Sequence, residues 1–367
     1  MRILYVAEIS IPSNRAYALH AVSMSSAYSS LGHDVSLFSS RYGNFDNGDP
    51  EEIYSYYGIK NNFIHKRFKF GSIRFISGFL FAFKIFIRVL FSKGFDFIHT
   101  RHIYSAFLLV LLGNRVAYEI HMPLKNSQQV FILKLIALFG VKLIVITESL
   151  KEYITNEYSI SKEKIFVFPD ASFPQNFKPH LSNTKVDVGY VGNLFPGKGM
   201  ELIYLIANKL PEVTFHIVGG NETEINYWKK KITKGNVIFH GYVKPADLRN
   251  FYNLFSIALL PNQKKVSPDG ISGDIGSWTS PMKLFEYMSW SKVIISSDIP
   301  ILREVLVDKK NAFLVKHDNA DEWAERIIKL SKDKSIRNEI SKEGNKQVAS
   351  YLNWKNRCQN IIRFCNE

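Results

Sequence analysis

The chain has 367 residues, 46% hydrophobic and 22% charged, with a formal net charge of +14. That length suits two domains, and the apolar content is enough to bury both, which excludes a disordered chain. The positive charge favours anionic partners, while two cysteines alone, Cys358 and Cys365, with no Cys or His spacing of the zinc type, point away from a disulfide framework or structural metal.

The opening, MRILYVAEIS, turns polar too soon for a signal peptide, and no apolar run reaches transmembrane length without a charge inside it, so a reducing cytoplasm is the expected compartment. Arg2 to Ala7 reads as a strand and Ala16 to Leu31 as a helix ended by Gly32. Val35 to Phe38 begins a second strand. Strand–helix–strand order implies a parallel sheet with its ligand crevice at the carboxyl ends of the strands. The loop holding Asn14 and Arg15 lies at such an end without a GxGxxG fingerprint. Arg15 offers an anion contact, a solvated loop arginine being the other reading.

From Ile53 to Phe95 there is no acidic residue. Lys60, Lys66, Arg67, Lys69, Arg74, Lys84, Arg88 and Lys93 alternate with phenylalanines. Basic and bulky apolar residues at helical spacing describe a surface for an anionic membrane, each cation contributing ~1 kcal/mol. RNA is the rival partner, but no RNP, KH or zinc-knuckle pattern occurs, and a core helix with a solvated basic edge accounts for part of the stretch.

Strands resume at Asp96 to Thr100, Arg115 to Glu119, Lys142 to Ile146 and Lys164 to Phe168, with helices over Ile103–Leu112, Gln128–Phe139 and Ser149–Tyr158 between them. Polar residues close these strands: Thr100–Arg101, Glu119–Ile120–His121, Thr147–Glu148 and Asp170. His121 combines donor and acceptor near neutral pH; a packed structural histidine is the alternative.

Residues 173–184, rich in Pro, Asn and Ser, read as a linker. A second strand–helix array follows, with strands at Val186–Val191, Thr214–Val218, Val237–Phe239 and Ile257–Leu260. Its first loop, Gly192–Asn193–Leu194–Phe195–Pro196–Gly197–Lys198–Gly199, brings an ammonium to the start of a helix, a good partner for a diphosphate. In Thr279 to Asp298, Ser280 is expected to cap a helix with Pro281 in its first turn, leaving backbone donors for an anion. Glu286 follows about one and a half turns on, where a carboxylate meets a hydroxyl pair.

YVGNLFPGKG (Tyr190 to Gly199), IVGG (Ile217 to Gly220), VIFHGYV (Val237 to Val243) and SPMKLFEYMSWSKVIISSD (Ser280 to Asp298), with GHDV, DFIHTR, YEIH and IVITESL in the first half, resemble the GT-B glycosyltransferases of family 4 over most of the chain. That resemblance implies an α/β fold of two Rossmann-like doubly wound domains facing a central cleft. The acceptor-side domain would be 1–172, completed by the terminal helix 352–367 with Trp354 as its anchor, and the nucleotide-sugar domain 185–351. It implies retaining sugar transfer from a UDP- or GDP-linked donor to a glycan or lipid-linked acceptor in surface polysaccharide biosynthesis, with no cofactor and no metal. Lys198 would neutralise the diphosphate, Glu286 would bind the ribose, and His121 would approach the donor sugar. Gly192, Asn193, Gly197, Tyr242, Val243, Ser280, Pro281, Met282, Lys283 and Leu284 would surround the donor, and Asn14, Arg15 and Arg101 would lie on the acceptor side.

Two positions depart from the family pattern: Trp278 stands where a second acid is usual, eight residues before Glu286, and Asn193 where a base is usual. Asp269 or Asp274 could supply the missing carboxylate. The expected protein is thus peripheral on the inner face of the cell membrane and binds no nucleic acid. A GT-B nucleotide-sugar epimerase and a non-catalytic basic RNA- or ligand-binding protein are the alternatives.

Overall fold

Short β-branched and aromatic runs separated by helical stretches form two parallel sheets in the computed structural model, which describes residues 1–41, 52–69, 77–124, 126–175, 186–267 and 273–366. The chain divides into two compact units, Met1–Pro169 with Trp354–Glu367, and Asp170–Asn353. Of the expected linker, residues 176–184 lie outside the described residues. Phe173 is held by the second unit, where its carbonyl accepts from the Ser289 hydroxyl (2.6 Å).

The first unit contains β1 (Arg2–Ser10), β2 (Asp34–Arg41), β3 (Ile64–Lys69), β4 (Phe97–Thr100), β5 (Val116–Ile120), β6 (Lys142–Val145) and β7 (Ile165–Val167). Their order is β3-β2-β1-β4-β5-β6-β7 and every pair is parallel. The strand order reverses between β1 and β4, which places the ligand crevice of this unit at their carboxyl ends. Helices Ala16–Ser30 and Trp354–Asn366 pack on each other in the same unit.

The basic stretch is not one helix. Lys66 and Arg67 lie on β3, paired with Phe38 and Ser39 of β2, and β3 ends at Lys69. An edge strand tolerates such charges because its outer side meets water. Arg74 lies outside the described residues. Lys84 and Arg88 are on the helix Ser77–Leu90, whose Phe81, Ala82, Ile85 and Val89 are buried.

The second unit contains β8 (Val188–Val191), β9 (Phe215–Val218), β10 (Val237–Gly241), β11 (Ile257–Leu260), β12 (Val293–Ser297) and β13 (Phe313–Val315), in the parallel order β10-β9-β8-β11-β12-β13. Alternate residues of one strand serve opposite faces. Ile257 and Leu259 join Ile203, Ile206, Trp323 and Ile327 on one side, while Ala258 and Leu260 join Leu284, Phe285 and Met288 on the other. Both faces are covered, which is why these strands read as unbroken apolar runs. Local signals set several helix starts: Asn221 and Glu224 form a capping box, and Asn319 and Asp333 accept from the first turns of their helices.

Candidate active site

In the second unit the loop after β8 reaches the helix Met200–Lys209 through Gly197 (φ +81°) and Gly199 (φ +95°). A Cβ at Gly197 would lie 2.0 Å from the Lys265 carbonyl oxygen and one at Gly199 2.2 Å from that of Pro261, so only glycine lets the loop pack this closely. Lys198 stands between them, part-buried, and its Nζ has no acceptor among the described residues. Burial lowers its pKa to about 8. A recessed ammonium with no protein counter-charge, next to a helix start, is an arrangement completed by an anion. Asn193 is exposed, and its carbonyl accepts from the Tyr190 hydroxyl (2.6 Å). Gly192 adjoins the same hydroxyl, which a Cβ there would meet at 2.9 Å.

The helix after β11 runs Met282–Ser289, one residue later than capping by Ser280 requires. Pro281 is its N-cap in extended conformation, and the Ser280 hydroxyl accepts from the Asp170 backbone N–H (3.1 Å). With no side-chain cap, the first-turn donors at Met282 and Lys283 stay available, as every helix start leaves such groups. Leu284 instead faces the core. Glu286 Oε2 accepts from the Tyr252 hydroxyl (2.6 Å) and Lys283 Nζ (2.8 Å), leaving Oε1 as the acceptor still available. Tyr287 ties this helix to β8, its hydroxyl accepting from the Val191 N–H (2.8 Å). Tyr242 is exposed just past the carboxyl end of β10, and Val243 packs against the cluster containing Val191, Val218 and Leu284.

Asp274 does not supply a free carboxylate: its Oδ1 accepts from the backbone N–H groups of Val266 and Gly276 (2.9 and 2.8 Å) and staples its own loop. Asp269 lies outside the described residues.

In the first unit, period-two alternation puts Ala117, Glu119 and His121 on one face of β5 and its extension. Glu119 is fully buried and is the centre of a cluster that the sequence reading missed apart from its two members on this segment. His20 Nε2 lies 3.0 Å from Oε1 and His99 Nε2 2.8 Å from Oε2, both bent from linear hydrogen-bond geometry, whereas His121 Nε2 makes an aligned bond to Oε1 (2.5 Å). Arg357 clamps both oxygens through its terminal nitrogens (3.2 and 2.9 Å). Its other donors reach the carbonyls of Pro169 and Phe168 and the Met24 sulfur, so all five N–H groups are used. Trp354 packs edge-on against His20, with ring centroids 5.2 Å apart.

Burial alone would raise the Glu119 carboxyl, but the Arg357 guanidinium and the imidazole donors overcome it and hold it well below the usual carboxylate range. Burial likewise holds the imidazoles neutral: His20 is lowered to about 3, and His99 and His121 are also lowered. Nothing in ALHAVSM or NWKNRCQ marks His20 or Arg357, since each reads locally as one helix residue.

Asn14 and Arg15 are exposed at the start of the first helix, where Arg15 is the N-cap without a side-chain bond. Arg101 stacks its guanidinium 4.0 Å from the Tyr17 ring centroid, which brings it to the same helix start. Cys358 is buried beside Met24 and Cys365 is partly exposed.

Two parallel sheets of this order are the architecture of the GT-B glycosyltransferases. The family Glycosyl transferases group 1 matches residues 172–347, and Glycosyltransferase Family 4 matches residues 18–171. The capsular polysaccharide biosynthesis glycosyltransferase CapM of Staphylococcus aureus is 26% identical over 241 residues, 59% of this chain and 60% of that protein. This chain therefore spans about three-fifths of that relative. A glycosyltransferase from Rickettsia africae superposes with TM-score 0.76 at 15% identity, covering 100% of this chain and 97% of that one. Anabaena Alr3699/HepE, solved in complex with UDP-glucose, superposes with TM-score 0.72 at 15% identity, covering 100% and 99%. Together the two family matches span residues 18–347, and the chain is a GT-B glycosyltransferase of the family 4 type.

Proposed function

We propose that this enzyme transfers a sugar, with retention at the anomeric carbon, from a UDP- or GDP-sugar to a glycan or lipid-linked acceptor in surface polysaccharide assembly. Lys198 carries the reading, because its recessed and unneutralised ammonium suits a diphosphate. As the bond from the anomeric carbon to the β-phosphate oxygen breaks, charge grows on the diphosphate. Lys198 and the donors at Met282 and Lys283 stabilise that charge without a metal. The available Glu286 oxygen accepts from a ribose hydroxyl, Gly192, Asn193 and Gly197 shape the loop around the phosphates, and Tyr242 and Val243 flank the base. In the first unit His121 meets a hydroxyl of the donor sugar, with Asn14, Arg15 and Arg101 on the acceptor side. The similarity to CapM supports the polysaccharide context.

The test is turnover of a panel of nucleotide sugars with the product anomer read by NMR. A glycoside of the donor's own anomeric configuration is expected. An inverted product, or an epimerised sugar released without acceptor, would replace this reading by an inverting transferase or an epimerase.

We also assign the protein to the cytoplasmic membrane face. No helix among the described residues is long and apolar enough to cross a membrane. The helix Ser77–Leu90 has a second apolar face, however, with Phe79, Phe83, Ile87 and Leu90 exposed beside Lys84 and Arg88, and Phe91 just beyond is 79% exposed. The next two helices, Ile103–Val110 and Ser127–Leu138, expose Leu111 just past the first and Phe131, Leu138 and Phe139 along and just past the second. Apolar side chains with flanking cations fit an anionic lipid surface. Lys84→Glu with Arg88→Glu should lower co-sedimentation with vesicles rich in anionic lipid by at least roughly tenfold, as should high salt. Binding indifferent to both would remove the membrane assignment.

A further inference from the structure

Three imidazoles converge on Glu119, but they are not equivalent. The Tyr5 hydroxyl lies 3.2 Å from His20 Nδ1 and the Tyr28 hydroxyl 3.0 Å from His99 Nδ1. Each ring turns its Nε2 to the carboxylate, so the N–H belongs on Nε2 and each tyrosine donates to Nδ1; the other tautomer would set a lone pair against an anion. Both rings are therefore faced at each nitrogen, by a tyrosine hydroxyl on one side and the carboxylate on the other. His121 also gives Nε2 to Glu119, yet its Nδ1 has no partner among the described residues, and it is the one ring of the three with exposure, 15% against 1% and 0%. The polarity of the whole cluster ends on one outward lone pair.

We propose that Glu119 is a positioning residue for His121: it fixes the imidazole as the Nε2–H tautomer, so that Nδ1 is an obligate hydrogen-bond acceptor for a substrate sugar hydroxyl, with Arg357 on the terminal helix holding both Glu119 oxygens in place for that task. The proposal rests on the reading that His121 meets the donor sugar, and it adds which ring nitrogen does so and what fixes it. A pair with Arg357 alone would secure the helix; it gives no reason for an aligned bond to a ring whose far nitrogen is left open. The charged and titratable groups around His121 are Glu119 on its own strand, His20 on the first helix, Arg101 after β4, Asp170 just past β7, whose carboxylate lies within 4.8 Å of a ring nitrogen of His121 and of His20, and Arg357 reached through Glu119. Burial comes first and Arg101 second in opposing a charged imidazole, so His121 acts by accepting a hydrogen bond and not by proton transfer.

The test is two-bond proton–nitrogen correlation NMR on the full chain labelled with 15N-histidine, with His121 assigned by the peak missing from His121→Gln. The wild-type ring should show an unprotonated Nδ1 and a protonated Nε2 without change from about pH 5.5 to about pH 8.5. Glu119→Gln should populate the Nδ1–H form and lower kcat/KM for the nucleotide sugar roughly tenfold through KM, the effect of one lost hydrogen bond. A proton on wild-type Nδ1, titration near the ordinary imidazole value, or a Glu119→Gln variant unchanged in both tautomer and KM would overturn the proposal. If Glu119→Gln does not fold, His121→Asn decides, since its amide oxygen takes the place of Nδ1. It should retain a higher kcat/KM than His121→Gln, and equal or reversed values would count against the assignment. A locked tautomer in a protein that turns over no nucleotide sugar would establish the lock and overturn only the functional reading beneath it.

Discussion

Lys198→Ala is expected to lower kcat for sugar transfer by on the order of 10²–10³ while Tm stays the same or rises. The two effects part because the ammonium has no partner to lose within the described fold, while its recessed position disfavours its charge there. Residues that serve a ligand at the expense of the empty protein behave in this way. The pH dependence has a definite sign. With its pKa lowered to about 8, the free enzyme loses the ammonium as pH rises through that value, so kcat/KM for the donor should fall on the alkaline side near pH 8. A bound diphosphate favours the charged form, so kcat should hold to higher pH. Steady-state rates across pH, with a thermal melt of both proteins, check all three statements. Full activity in Lys198→Ala would remove the diphosphate assignment.

Arg357→Met should destabilise the first unit by about 3–5 kcal/mol, since the Glu119 carboxylate stays buried when its clamp is removed. For a unit of this size that is a drop in Tm of roughly 6–20 °C. Arg303→Met is the control: Arg303 pairs with Asp298 at the surface (2.5 Å), and its loss should barely move the melt. The same cluster makes the unit sensitive to acid. His20, His99 and His121 have folded pKa values lowered from the ordinary imidazole value, so below about pH 6.5 the unfolded chain takes up protons that the folded chain refuses. Stability should then fall with pH by up to ~1.4 kcal/mol per unit for each ring, steeper than any single group gives. Glu119 adds a second limb. Its folded pKa is held below the usual range, so its contribution is full above the ordinary carboxylate value and is lost as pH falls towards the folded one. Denaturant melts between about pH 5 and about pH 7.5 would show the histidine limb, and a flat profile would contradict it.

Buried parallel strands were legible because both of their faces are covered, which leaves apolar runs such as IALL at Ile257–Leu260, matched residue for residue. β3 was not, because its sequence IHKRFK belongs to an edge where charge is tolerated and no alternation survives. The three residues of β13 are too few to show any period. Capping chemistry misplaced one helix start: Ser280 and Pro281 look like a cap and first turn, yet the hydroxyl is taken by the Asp170 N–H from a distant part of the chain.

The sequence by itself determined two α/β arrays, the glycine-bounded Lys198 loop and the helix carrying Glu286, because each depends on spacing over a few residues. Tertiary structure alone decided the environment of His121. The groups that set its proton come from positions 20, 99, 119 and 357, brought together by β4, β5 and two helices that meet only in the folded chain. Charge and hydrogen bonding act through distance in space, and local sequence patterns carry no record of pairs separated by 238 residues, as Glu119 and Arg357 are.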